Sequence, residues 1–428
     1  MNDASNGKKH SIRFRRLPRR WREDEHGTVA VIAAITFPVL VGAMGLGAET
    51  GYWHLKQRKL QHAADVSAHA AAVRHRAGDG QQGLESTATR IARASGYSPG
   101  DLTVGTKTEA SAGSTKVTVQ LSETHARLFS SVFSTDPIVL SARAVAEIKG
   151  GSKACVLALS GSASGAVTVA GSTELNLSGC SVVSNSNAAD AFLMKGGSAL
   201  LSTDCVYTVG EAVTTTGLKL TGCSSPVERA PPTADPFAAV AEPEKLHVEQ
   251  LPCRTLDHIT TSSYTLDRLA SGAEAIRFCG GLDIKGTILL KPGLYIIDGG
   301  VLSVTAGAKL SGDGVTFYFT NSAAAKLLGN ADIDLSAPTS GPFAGILFFA
   351  SRRDAGVVHQ VTGNSEWTLN GSLYAPTGSI EFTGNTTVSG GCTQIVADRI
   401  TFTGNSTMST CASPTKEIIV GQTVALIE

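Results

Sequence analysis

From Thr28 to Ala48 the chain reads TVAVIAAITFPVLVGAMGLGA, about 21 residues without a charge. A bilayer core takes about 20 helical residues, so this stretch predicts a membrane-spanning helix. A buried helix of a soluble protein would keep a polar face, which this one lacks. A cleaved signal has a shorter apolar core, about 7–15 residues, and Gly45-Leu46-Gly47-Ala48 matches a cleavage site only loosely, so the anchor reading is preferred. Beyond it, Tyr52, Leu55, Ala63, Val66, Ala70 and Val73 recur three or four residues apart, and the helix is predicted to continue to Gly78-Asp79-Gly80. At about 1.5 Å per residue it would reach some 40 Å past the bilayer.

The periodicity then changes. A short helix is predicted from Leu84 to Ser95. Alternating strands follow in LTVGTKT and TKVTVQLSE, then a short helix around Leu128 to Phe133 and a strand in PIVLSARAVAEI. These make a small α+β unit ending near Lys149. From Gly150 the residues become small, β-branched and polar, and short strands recur, among them TILLKPGLYII, VTFYFT, GILFFA, IEFTG and RITFTG. Val361-Thr362-Gly363-Asn364 is echoed by Phe382-Thr383-Gly384-Asn385 and Phe402-Thr403-Gly404-Asn405, at offsets of about 21 and 20 residues, with Leu328-Gly329-Asn330 an imperfect earlier copy.

A period near 20 with three short strands per unit suits a β-solenoid. Gly supplies a positive φ at the corners, Asn tolerates one, and stacked Asn side chains suit a hydrogen-bonded ladder. A sandwich of irregular strands is the main alternative. The expected fold class is a membrane-anchored α+β unit followed by a mainly β region: one N-terminal transmembrane helix, then a right-handed parallel β-helix (solenoid)-like C-terminal region. The expected divisions are a basic cytoplasmic tail (1–27), the transmembrane helix (28–48), a helical stalk with the α+β unit (49–150), a first solenoid block (151–225), a proline-rich linker (226–253) and a second solenoid block (254–428). Pro226, Pro231, Pro232, Pro236, Pro243 and Pro252 define the linker; a surface excursion from one continuous solenoid fits them as well.

Charge sets the topology. Lys8, Lys9, Arg13, Arg15, Arg16, Arg19, Arg20 and Arg22 precede the apolar run, so the N-terminus is expected in the cytoplasm and everything after Glu49 outside the inner membrane. All eight cysteines, Cys155, Cys180, Cys205, Cys223, Cys253, Cys279, Cys392 and Cys411, fall on that exported side, where disulfides form. Neither a CxxC nor an HxxxH pair supports zinc, and small buried residues are the plain alternative. Eight cysteines allow 105 connectivities, so sequence alone does not pair them. Cys392 and Cys411 lie about one coil apart and are the first pair expected, Cys253 and Cys279 the second. The charge is balanced, 36 Lys+Arg against 36 Asp+Glu, and such a chain lacks the basic stripe that nucleic-acid binding requires.

The segment GTVAVIAAITFPVLVGAMGLGAETGYWHLKQRKLQHAADVSAHAAA resembles the TadG-like proteins of Flp (tight-adherence) pilus assembly. The matching positions are Glu49, Gly51, Tyr52, Leu60, Gln61, Ala63, Ala64 and Asp65; the family usually carries Asp where this chain has Glu49. CVLALSGSASGAVTVAGSTELNLSGCSVVSNS and FCGGLDIKGTILLKPGLYIIDGGVLSVTAGAKLSGDGVTFYF also look like longer members. The resemblance implies an inner-membrane component of pilus assembly with other pilus-assembly membrane proteins as partners. It does not imply a pilin: prepilins carry Glu five residues after the cleavage-site Gly, and here Gly27 is followed at that offset by Ile32. The small-residue face Ala63, Ala64, Ala70 and Ala71 suits packing on a partner helix or on the chain's own α+β unit.

No catalytic, cofactor-binding or metal site is expected. The nearest serine motif, Gly161-Ser162-Ala163-Ser164-Gly165, has Ala163 where the nucleophile belongs. His54, His62, His69 and His75 read as a solvated helix face. A polysaccharide-active β-helix enzyme would need clustered carboxylates within about 5–10 Å. The candidates are Asp283, Asp298, Asp313, Asp332, Asp334 and Glu366, with Arg352, Arg353 and His359 in a loop, and they form no recognisable constellation. A glycan-binding adhesin-like solenoid is the other alternative; its Thr- and Asn-rich faces suit it, its fixed anchor does not.

Overall fold

The computed structural model describes the chain from His26 onward, apart from residues 98–99, 101, 112–113, 178, 262, 329, 363–365, 384–386, 389–392, 405–406 and 409–415. The basic tail, Cys392, Cys411, Asn364, Asn385, Asn405 and the Glu366 side chain therefore lie outside the described residues.

Helix α1, His26–Arg76, runs unbroken for 51 residues with Pro38 inside it. Its first part is long and apolar enough to cross a membrane and is almost wholly exposed, which fits a single-pass anchor. Its second part meets α2, Gln81–Ala94. Both rest on an antiparallel sheet of β1 (Leu102–Ser111), β2 (Ser114–His125) and β3 (Ile138–Lys149). Strand β2 alternates apolar and polar, so Val117, Val119 and Leu121 all point one way, into the helices. The sheet has a fourth strand the sequence reading did not supply: the C-terminal segment Thr423–Leu426 pairs antiparallel with β3. The final residues therefore belong to the stalk unit and not to the solenoid.

The joint after β3 is Gly150-Gly151, both at positive φ. A Cβ on Gly151 would lie 2.7 Å from the Val420 carbonyl oxygen, so only glycine lets the outgoing and returning chains run side by side here. Beyond the joint stands a three-faced solenoid of parallel strands. One inward column is continuous from rung to rung: Ile276, Tyr295, Phe317, Phe348, Leu373, Ile395, Val156, Val182 and Val206. All nine are buried in a single core. The repeat seen in the sequence is such a column: Val361 pairs with Phe382 and Phe382 with Phe402, whose rings stack 5.3 Å apart. Asn330 adopts the positive φ expected at a corner.

The column corrects the expected division into two blocks. Strand Thr393–Thr403 pairs in parallel with Ser152–Ala158, so the end of the second block stacks on the start of the first. The two are one continuous solenoid, threaded out of sequence order. The chain enters in the middle, builds rungs to one end at Val206–Thr208, crosses back over the whole stack, and builds from Cys253–Arg254 up to its own entry point.

Residues 226–253 make that return crossing and are packed along it. Next to each inward residue of the first face is an outward one, and these are also apolar: Ile296, Tyr318, Phe349, Tyr374, Val396, Leu157 and Val183. A sheet face of this kind must be covered on both sides, which is why its strands read as unbroken apolar runs such as VTFYFT and ILFFA. Phe237, Val248 and Leu251 of the crossing supply the cover, with Ile418 and Val420. The strap touches the ladder only at its ends, where Val227 bridges Tyr207 and Cys253 pairs with Arg277; between them, proline lacks the N–H that ladder pairing uses, and the segment lies over the sheet.

Candidate functional site

At the outer end of the apolar segment, helix α1 meets a short 3-10 turn, Phe129–Val132. Glu49 joins them. It is 3% exposed, and one carboxylate oxygen accepts from Leu128 N at 3.1 Å, Ser130 Oγ at 2.8 Å and Trp53 Nε1 at 3.1 Å. The other accepts from Ser130 N at 2.6 Å. Burial works against the charge, but these four donors, Ser130 foremost, outweigh it and hold the carboxyl down at about 2. Glu has the reach to span from the helix to the turn and still accept from Trp53 one turn along.

The depressed value has a directional consequence. An Asp or Glu with a lowered folded-state pKa stabilises above its ordinary value and loses that contribution as pH falls through the folded one. Glu49→Gln is therefore expected to lower the thermal midpoint of the stalk unit at neutral pH. The gap to the parent should shrink from about pH 4.5 downward and close near 2. A gap that stays constant across that window would show that the charge on Glu49 does not hold the turn.

Five of the other motif positions, Leu60, Gln61, Ala63, Ala64 and Asp65, serve the stalk's own fold. Leu60, Ala63 and Ala64 are fully buried against α2 and the sheet. Gln61 donates to Asp65 Oδ1 at 2.8 Å and to the Arg143 carbonyl of β3 at 2.9 Å. Of the two uses open to the small-residue face, Ala63, Ala64 and Ala71 thus serve internal packing; their small size lets α1 approach the sheet and α2 closely. Tyr52 is exposed near the membrane end, and nothing lies where a Cβ on Gly51 would point. His54, His62 and His69 are exposed on α1.

The solenoid candidates are dispersed, and most are used in holding it together. Arg352 donates to the Phe237 and Val240 carbonyls at 2.7 and 2.9 Å. Glu242 accepts from Arg352 N, Ser351 Oγ and Tyr318 Oη at 2.7, 3.1 and 3.1 Å, with Arg353 at 3.3 Å. The arginine pair therefore pins the return crossing. Asp235, which accepts from Tyr374 at 2.7 Å, and Glu242 were not among the expected candidates, because their partners lie more than 70 residues away. Asp298 is paired with Arg277, Asp332 with Lys309 at 3.2 Å and Asp283 with Lys285 at 2.7 Å. His359 lies inside the core, where burial lowers its imidazole to about 4 and its Nδ1 accepts from Ala325 N at 3.1 Å. Among the described residues no three His, Cys, Asp or Glu side chains are grouped to hold a metal.

Among the described residues three disulfides join neighbouring coils: Cys155–Cys180, Cys205–Cys223 and Cys253–Cys279. The last is one of the two pairs expected from spacing; the other, Cys392–Cys411, is outside the described residues.

An apolar single-pass type of helix, a small α+β unit and a three-faced solenoid stapled by disulfides define the chain as an anchored β-solenoid protein. Its helix then relates it to a family. Residues 27–74 match the family described as putative Flp pilus-assembly TadE/G-like. No curated protein matches it. Among solved structures, the competence-associated pilin ComZ from Thermus thermophilus is similar at 8% identity and a TM-score of 0.28, over 76% of this chain and 84% of that one. A likeness that weak carries no argument.

Proposed function

We propose that the protein is a non-enzymatic scaffold or envelope anchor of Flp pilus assembly. In this reading it is held in the bacterial inner membrane, with its N-terminus in the cytoplasm and its bulk in the periplasm. The observation that carries the proposal is the continuity of α1. The TadE/G-like segment is one helix that begins as the apolar anchor and ends in the core of the stalk unit, so whatever engages the solenoid is coupled rigidly to the membrane. Of the side chains that would be candidates for chemistry, Arg352 and Arg353 fasten the crossing, and Asp298 and Asp332 pair across adjacent rungs, which supports a structural role. The partners are other membrane proteins of pilus assembly.

The test is complementation of a strain lacking the gene. The full chain is expected to restore pili and surface attachment. A chain ending after Gly51, which keeps the anchor and loses the rest, is expected to restore neither, although it still fractionates with the membrane. Full piliation with the truncated chain would make the β region dispensable and end this reading.

A further inference from the structure

Beside the apolar helix the stalk presents an apolar foot. Leu128, Phe129, Val132 and Phe133 are 50%, 57%, 84% and 78% exposed, on a chain whose β regions bury their aromatics. Exposed apolar patches of this kind mark contact with a membrane or a partner. The position of the foot separates the two. Phe129 packs on Gly45 of α1, so closely that a Cβ on Gly45 would sit 2.8 Å from the ring carbon Cδ1. Gly45 lies three residues inside the apolar stretch, about 4.5 Å below its end at Ala48. Glu49, one turn further out, fixes the turn at that level through Leu128 and Ser130. Interfacial elements bury their apolar face about 5–10 Å into the headgroup and acyl boundary, the depth at which this foot is held. Tyr52 and Trp53 lie just above, where aromatic side chains favour the interface.

We infer that the 128–133 turn is a second membrane contact, dipping Phe129, Val132 and Phe133 into the lipid surface beside the spanning helix. The inference rests on reading α1 as a membrane span. A single helix leaves the exported part free to tilt and rotate over the bilayer; a foot offset from the helix axis fixes both. Glycine at position 45 then has a specific use, as the notch that lets the Phe129 ring lie against the helix at that depth.

The test uses the full chain in vesicles of phosphatidylethanolamine and phosphatidylglycerol, with the photo-reactive residue p-benzoylphenylalanine in place of Phe133, Val39 or Leu289. Leu289 is an equally exposed apolar residue on the solenoid, at 71%. After irradiation, mass spectrometry is expected to show acyl-chain adducts from positions 133 and 39 and none from 289. Adducts from 39 without adducts from 133, or adducts of 133 with a second protein copy in place of lipid, would overturn the inference and leave the anchor reading intact. Absence of lipid adducts from both 39 and 133 would remove the anchor reading, and the foot with it.

Discussion

Replacing both cysteines of Cys205–Cys223 and both of Cys253–Cys279 by Ser is expected to lower the urea midpoint of the solenoid sharply and to start its unfolding from the ends. The pairs are separated by 18 and 26 residues, and in the chain-entropy account loops of that size stabilise by about 3 kcal/mol each. Their placement adds to the effect. Rungs of a solenoid contact only their neighbours, and the outermost have one neighbour each. Cys205–Cys223 lies at the end of the stack formed by Val206–Thr208, and Cys253–Cys279 lies at the opposite end. Both ends would fray before the middle, where Thr393–Thr403 meets Ser152–Ala158. Far-UV circular dichroism in urea reads the midpoint, and amide exchange reads the order of opening. An unchanged midpoint would show that side-chain stacking alone holds the terminal coils.

Phe237→Ala is expected to cost about 3–5 kcal/mol, the usual range for emptying a fully buried Phe site. Phe237 is the aromatic anchor of the return crossing, 5.2 Å from the Tyr374 ring, and its carbonyl accepts from Arg352. Losing the ring opens a cavity over the outward apolar column and removes the packing that seats the Phe237 carbonyl against Arg352. The variant should therefore unfold earlier and also be cut by protease within 226–253 under conditions where the parent resists. An effect below about 0.5 kcal/mol, typical of a surface site, would mean that the crossing is only a tether.

Much of this architecture is legible along the chain because it rests on short-range periodicity. The span is legible from the charge-free run, and the coil period from Val361, Phe382 and Phe402, which stack directly. Stacking order is not legible, since nothing near Ile395 specifies that its partner is Val156 in place of a residue further along. The double cover of the first face was present in VTFYFT and ILFFA, but a buried run does not say what buries it. At the membrane-proximal site the same division holds. Glu49 stands out as a motif position, while Ser130, its main partner, is 81 residues away. The pair Leu128-Phe129 with Val132-Phe133, apolar residues on a turn too short to bury them, was the available signal for the foot. Arg352 and Arg353 drew notice as a cation pair, and only the fold reveals that they clamp Glu242.

The solenoid leaves β3 through Gly150-Gly151 and the chain comes back to pair with β3 through Thr423–Leu426. Mechanically, the body is fastened to its stalk by two covalent connections lying side by side. A single linker transmits tension but lets a domain swivel; two adjacent ones, tied into the same sheet and to Arg76 of α1 through the Gln422 carbonyl, also carry torque. A sideways load on the far rungs would reach the anchor helix as a lever acts on its fulcrum, with little lost to rotation at the joint.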